Sequence, residues 1–95
     1  DSLGSLRGFV QVVESGGFAE AGRTLGLSAS AMAKSVSRLE QSLGVRLLHR
    51  STRSLTLTAE GQLFLARCRR ILAEAEAARS ELSSHAATPK ARLPR

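Results

Sequence analysis

The sequence predicts a mainly α-helical fold: three short helices and a two-stranded wing in one domain, followed by one long helix. Three observations carry that prediction. In residues 28–43, SASAMAKSVSRLEQSL, the apolar residues Met32, Val36, Leu39 and Leu43 step by four, three and four, so at helical pitch they share one stripe. After Gly44 the period changes, and Val45-Arg46-Leu47-Leu48 and Ser54-Leu55-Thr56-Leu57 are short β-prone runs, the second strictly alternating. From Ala59 the helical period returns and persists for about 25 residues, on the order of 37 Å at 1.5 Å per residue.

Taken in order, residues 2–14 place Leu3, Leu6, Phe9, Val10 and Val13 on one stripe, with Ser2 as cap, despite Gly4 and Gly8. Ser15-Gly16-Gly17 ends that helix, two adjacent glycines being a turn signal. Phe18 to Leu25 makes two further turns with Phe18, Ala21 and Leu25 inward, and Gly26-Leu27-Ser28 is a very short link to the next helix. Two short helices joined through such a turn form a helix-turn-helix unit, here about residues 18–37. Gly22 inside a helix costs roughly 1 kcal/mol against Ala, which close crossing of the two axes would justify.

The third helix has Ser28 as N-cap and Gly44 as C-terminal stop. Opposite its apolar stripe lie Ser30, Ala33, Lys34, Ser37, Arg38 and Gln41. Small residues around a few cations let a helix approach something closely, as a helix entering the DNA major groove must. Ser28 adds a hydroxyl and free helix N–H groups, a surface suited to phosphate. An ordinary amphipathic surface helix is the plainer alternative. The wing, about residues 45–57, carries His49-Arg50-Ser51-Thr52-Arg53 at its tip, which beside such a helix suits phosphates and the minor groove.

Thr58 caps the last helix with Glu60 near its positive end. That helix is too long for a domain this small to cover. Phe64, Cys68, Ile71, Ala75, Ala78 and Leu82 repeat at alternating spacings of four and three, the seam of a paired helix. No second helix of matching length is present, so the expected partner is a second copy of the chain. Leu63 and Phe64 are expected to lie against the domain itself, and the seam to be free beyond Arg70. The organisation expected is therefore a winged helix-turn-helix over 1–58, a linker and dimerisation helix over 59–84, and a hinge or disordered tail over 85–95, where periodicity is lost and Pro89 and Pro94 occur.

Composition narrows the function. Fourteen Lys and Arg against eight Asp and Glu leave 95 residues with a net charge of +6, the footprint of a protein that meets polyanions. The charge is concentrated: residues 29–53 hold Lys34, Arg38, Arg46, Arg50 and Arg53 against Glu40 alone. Anionic lipid is also a polyanion, but no segment is long and apolar enough to span a bilayer and no signal peptide precedes the first helix, so no membrane is expected as partner. A single cysteine excludes an internal disulfide and fits a reducing cytoplasm. With no Trp or Tyr and three Phe, an aromatic platform for stacked bases is not expected. An enzyme is not expected either, because His49, His85, Cys68 and the carboxylates fall in no nucleophile, acid–base or metal-ligand pattern; no cofactor or metal is predicted.

These elements together resemble the N-terminal DNA-binding domain of LysR-type bacterial transcriptional regulators, over about residues 3–84. The resemblance rests on Gly17-Phe18 opening the second helix, Ser28, Arg38-Leu39-Glu40, Leu43-Gly44-Val45-Arg46-Leu47-Leu48, Arg50 with Thr52-Arg53, and Leu57-Thr58-x-x-Gly61, all in order. It implies sequence-specific binding of double-stranded DNA as a homodimer, in the bacterial cytoplasm at the nucleoid. DNA contacts are expected at Ser28, Ala29, Ser30, Ala33, Lys34, Ser37, Arg38, Arg50, Thr52 and Arg53. It further implies a small-molecule effector bound by a C-terminal domain absent from this chain, the hinge beginning at Ala91-Arg92-Leu93.

The chain departs from the family pattern at several positions. Ala29 stands where glutamine is common, Ser30 where proline is common, and Ala33 where serine is frequent. Lys34 replaces a frequent arginine, exchanging a bidentate fork for a point charge. Gly17 and Ala19 replace a serine cap and a common threonine. Ala29 and Ala33 can still offer apolar contact to a thymine methyl. Two rivals remain at this stage: the similarly winged domain of molybdate-responsive regulators, and a helical protein-interaction module, which explains the seam but not the basic small-residue face or the wing.

Overall fold

The structure, a computed structural model, describes residues 2–50 and 55–87, with side chains for 3–50 and 55–85. The helices α1 (Ser2–Ser15), α2 (Phe18–Leu25) and α3 (Ala29–Leu43) are followed by strands β1 (Leu48–Arg50) and β2 (Leu55–Leu57) and by α4 (Ala59–Ala87). The strands are antiparallel, pairing Leu48 with Leu57, His49 with Thr56 and Arg50 with Leu55. The four helices and two-stranded wing are those the sequence predicts. Ser51, Thr52, Arg53 and Ser54, and residues 88–95 with Ala91-Arg92-Leu93, lie outside the described residues.

The helix ends are set by local chemistry. Ser28 Oγ accepts the Ala31 N–H at 3.0 Å, and Gly44, at φ 75°, donates its N–H to the Glu40 carbonyl. The N-cap position of α2 is Gly17, which offers no side-chain acceptor. Between α2 and α3 the Leu27 N–H returns to the Gly22 carbonyl at 2.8 Å. A Cβ on Gly22 would drive into the Leu27 carbonyl oxygen, so this position needs glycine for close approach. Thr58 Oγ1 both accepts the Gly61 N–H at 2.9 Å and donates to the Arg46 carbonyl at 2.7 Å, starting α4 and fastening it to the root of the wing.

The core comprises Phe9 and Val12 of α1, Ala21 of α2, Met32, Val36 and Leu39 of α3, Leu47 and Leu48 at the wing root, and Leu65 and Cys68 of α4. Phe9 and Phe64 pack with ring centroids 5.7 Å apart, and Arg69 of α4 pairs with Glu14 of α1 at 3.4 Å. The first turns of α4 thus belong to the domain.

Several expectations are corrected. Leu43 ends its stripe exposed, because α3 runs past the core there. Cys68 is fully buried and so is not a free seam position; Phe64, half-buried on Phe9, lies against its own domain as expected and is likewise not free for the seam. Leu65 and Cys68, three apart, form the inward edge of α4, and Leu63 points away at 66% exposure. Strand β1 starts at Leu48 rather than Val45, since residues 45–47 bond to α3 and to the start of α4 instead of to β2. Residues 85–87 are helical rather than tail, for Ala86 and Ala87 are strong helix formers and carry no turn signal. Beyond Arg70 the seam is largely open, with Ile71 at 45% and Leu82 at 72% exposure, Ala78 exposed and Ala75 half-buried.

Candidate nucleic-acid interface

The outward face of α3 is built by its own periodicity. Met32, Val36 and Leu39 anchor the helix in the core, which turns Ser28, Ala29, Ser30, Lys34 and Arg38 to solvent and leaves Ala33 and Ser37 half-buried at the flanks. The inner side is held closely: a Cβ on Gly8 of α1 would lie 3.6 Å from Met32 Cε and 3.7 Å from Ser35 Oγ. Among the described residues, neither Lys34 nor Arg38 makes a salt bridge or a side-chain hydrogen bond. Two cations therefore stand uncommitted among small residues, on a helix fixed from behind.

Arg50 differs. Its Nη2 donates to Glu40 Oε1 at 3.1 Å, and its guanidinium lies over the Phe18 ring, 5.7 Å from the centroid. Assigned to DNA contact from the sequence, it also braces the wing against α2 and α3, and among the described residues its other N–H donors take no side-chain partner. Arg46, 65% exposed, approaches Glu40 Oε2 only to 3.9 Å.

Glu40 is the residue that sequence reasoning missed. It is 6% exposed, and its Oε2 accepts the N–H groups of Leu47 at 2.8 Å and Leu48 at 3.2 Å. Burying an unpartnered carboxylate would be costly; here two backbone donors and one guanidinium offset that cost. The available signal was its isolation as the only acid among the five cations of residues 29–53. The result is a wing set rigidly beside α3.

Ser28, Ala29, Ser30, Ala33, Lys34, Ser37 and Arg38 thus lie on one helix and Arg50 on the adjoining wing, whereas Thr52 and Arg53 lie outside the described residues. Of the groups considered for chemistry, His49 and His85 are exposed, while burial pushes the Cys68 thiol above its ordinary range. No cluster of three His, Cys, Asp or Glu side chains forms among the described residues, and no helix there is long and apolar enough to cross a membrane.

Comparison with known proteins places this geometry. The family model described as "Bacterial regulatory helix-turn-helix protein, lysR family" matches residues 3–62. The chain is 51% identical over 74 residues to the HTH-type transcriptional regulator CrgA of Neisseria meningitidis serogroup C (strain 8013), covering 78% of this chain and 25% of that protein. Among solved structures, the CbnR_DBD-DNA complex superposes with a TM-score of 0.76 at 41% identity, covering 90% of this chain and 97% of that one. The BenM_DBD/catB site 1 DNA complex gives a TM-score of 0.85 at 31% identity, covering 88% and 93%. The chain spans about a quarter of the length of the transcriptional regulators it matches. A family model over residues 3–62 and the superposed helix-turn-helix and wing agree, and the chain belongs to the LysR family of bacterial regulatory helix-turn-helix proteins.

Proposed function

We propose that this domain binds double-stranded operator DNA sequence-specifically, as the DNA-binding part of a bacterial transcriptional regulator. The observation that carries the reading is the outer face of α3, where Lys34 and Arg38 are exposed and uncommitted among Ser28, Ala29, Ser30, Ala33 and Ser37. Such a face fits the major groove, about 12 Å wide, and the wing then falls at the adjacent minor groove, with Arg50, Thr52 and Arg53 meeting phosphates or the groove itself. The DNA complexes of CbnR and BenM support this docking by likeness.

The domain acts as a homodimer through α4. Ile71, Ala75, Ala78 and Leu82 supply the shared surface, while Phe64 and Cys68 support it from within each copy. Two half-sites are then read together, which raises affinity through effective concentration. A small-molecule effector acts only through a further domain of the parent regulator, which works in the cytoplasm at the nucleoid and catalyses no reaction. Titration of duplex DNA at a series of salt concentrations tests the reading. Affinity should fall with a log–log slope of about −0.9 for each phosphate neutralised. No duplex binding even at low salt would overturn it.

A further inference from the structure

Between α3 and the wing lies an open cleft of about 340 Å³, with Ser37 and Gln41 on the helix side, Arg46 and Arg50 on the wing side, and Glu40 at its floor. We propose that this cleft seats one phosphodiester of the DNA backbone, with Arg46 as its principal ligand. The inference rests on the reading of α3 and the wing given above. It adds a site and a residue that the basic face of α3 does not include.

If α3 lies in the major groove and the wing at the neighbouring minor groove, the single sugar–phosphate strand dividing those grooves must pass between them. The space between them is this cleft.

The cleft also carries net positive charge and unspent donors. The Glu40 carboxylate is already engaged by Leu47 N, Leu48 N and Arg50 Nη2. Arg46 Nε stays 3.9 Å from it, beyond hydrogen-bond reach, and among the described residues the Arg46 guanidinium makes no hydrogen bond. Two guanidiniums over one carboxylate leave the cleft with a net positive charge. Arg46 faces solvent with a planar fork suited to two phosphate oxygens. The hydroxyl of Ser37 and the amide of Gln41 provide neutral donors on the opposite wall. Phosphate contacts of this kind position a protein on the duplex without reading sequence, and the Glu40 hub fixes the wing from which Arg46 reaches.

The test uses the 95-residue domain and a duplex obtained by selecting bound sites from random sequence. One linkage at a time is replaced by a neutral methylphosphonate. At one linkage beside each half-site the wild type should lose about tenfold in affinity, as expected for a charged hydrogen-bonded contact. Arg46→Gln should show the same loss on unmodified DNA and no further loss at that linkage, with a salt slope smaller by about one unit. Arg79→Gln, the same charge change on the exposed far part of α4, should keep the wild-type sensitivity. Because Arg46 is mostly exposed, its variant should melt with the wild type. Binding by Arg46→Gln indistinguishable from wild type at every linkage would overturn the phosphate seat alone. Failure of the wild type to bind any duplex would overturn both the seat and the function on which it rests.

Discussion

The carboxylate of Glu40 accepts the backbone N–H of Leu47 at 2.8 Å, tying the last third of α3 to the root of the wing. Leu48 N and the Arg50 guanidinium complete its surroundings. The angle between recognition helix and wing therefore depends on one buried acid. Glu40→Ala should destabilise the domain by about 3–5 kcal/mol, because it strands two buried amides and a half-buried cation. Glu40→Gln keeps one acceptor and should cost less. Urea denaturation of the two variants checks the order; equal and small losses would show that the hub is not structural.

The glycines of the helix-turn-helix should respond in opposite directions. Gly22→Ala forces a methyl group against the Leu27 carbonyl and should destabilise by about 1–3 kcal/mol. Gly17 has open space where a side chain would go and supplies no cap to α2, so Gly17→Ser should stabilise by a few tenths of a kcal/mol. Thermal melts of both single variants decide the matter, and a neutral Gly22→Ala would mean that the α2–α3 crossing is looser than described.

The buried Cys68 thiol carries a raised pKa. Its neutral form is favoured in the folded state, so the stability this contributes is complete below the unfolded thiol pKa and is lost as pH rises through the folded value. Native protein should react with iodoacetamide far more slowly than urea-unfolded protein at the same mildly alkaline pH, and should form no intermolecular disulfide in air. Rapid labelling of folded protein would place the thiol at the surface.

The open part of α4 should carry self-association. Ile71→Glu and Leu82→Glu put charges on exposed seam positions, so they should shift sedimentation towards monomer while leaving the monomer's unfolding midpoint nearly unchanged. A wild-type domain that is monomeric at tens of micromolar would assign pairing to parts of the regulator outside this chain.

Much of this was legible in the sequence because local rules governed it. The bounds of α2, the caps Ser28 and Thr58, and the stop at Gly44 follow from residues adjacent in the chain. What pattern could not resolve was which neighbour a face meets. A four–three repeat marks Phe64 and Cys68 as seam positions whether the covering surface is a second copy or α1, and here it is the domain's own core. Val12, off the predicted stripe, is fully buried because α1 is covered by α2, α3 and α4 together. Glu40, four residues after Val36, falls at the edge of the apolar stripe, but two of its partners are backbone amides that no side-chain pattern reveals.

α3 is proposed to read bases, with Lys34 as part of the reading. Exposed opposite the Met32–Leu39 stripe and without a salt bridge among the described residues, Lys34 is proposed as a base-edge contact rather than a structural cation. The direct measurement is the ratio of affinities for a selected operator and a random duplex, in wild type and in Lys34→Ala. Loss of a base contact costs about 1–3 kcal/mol on the preferred site alone, so the ratio should fall by roughly five- to a hundredfold. If Lys34→Ala weakens both duplexes equally and leaves the ratio unchanged, α3 does not read bases through this face.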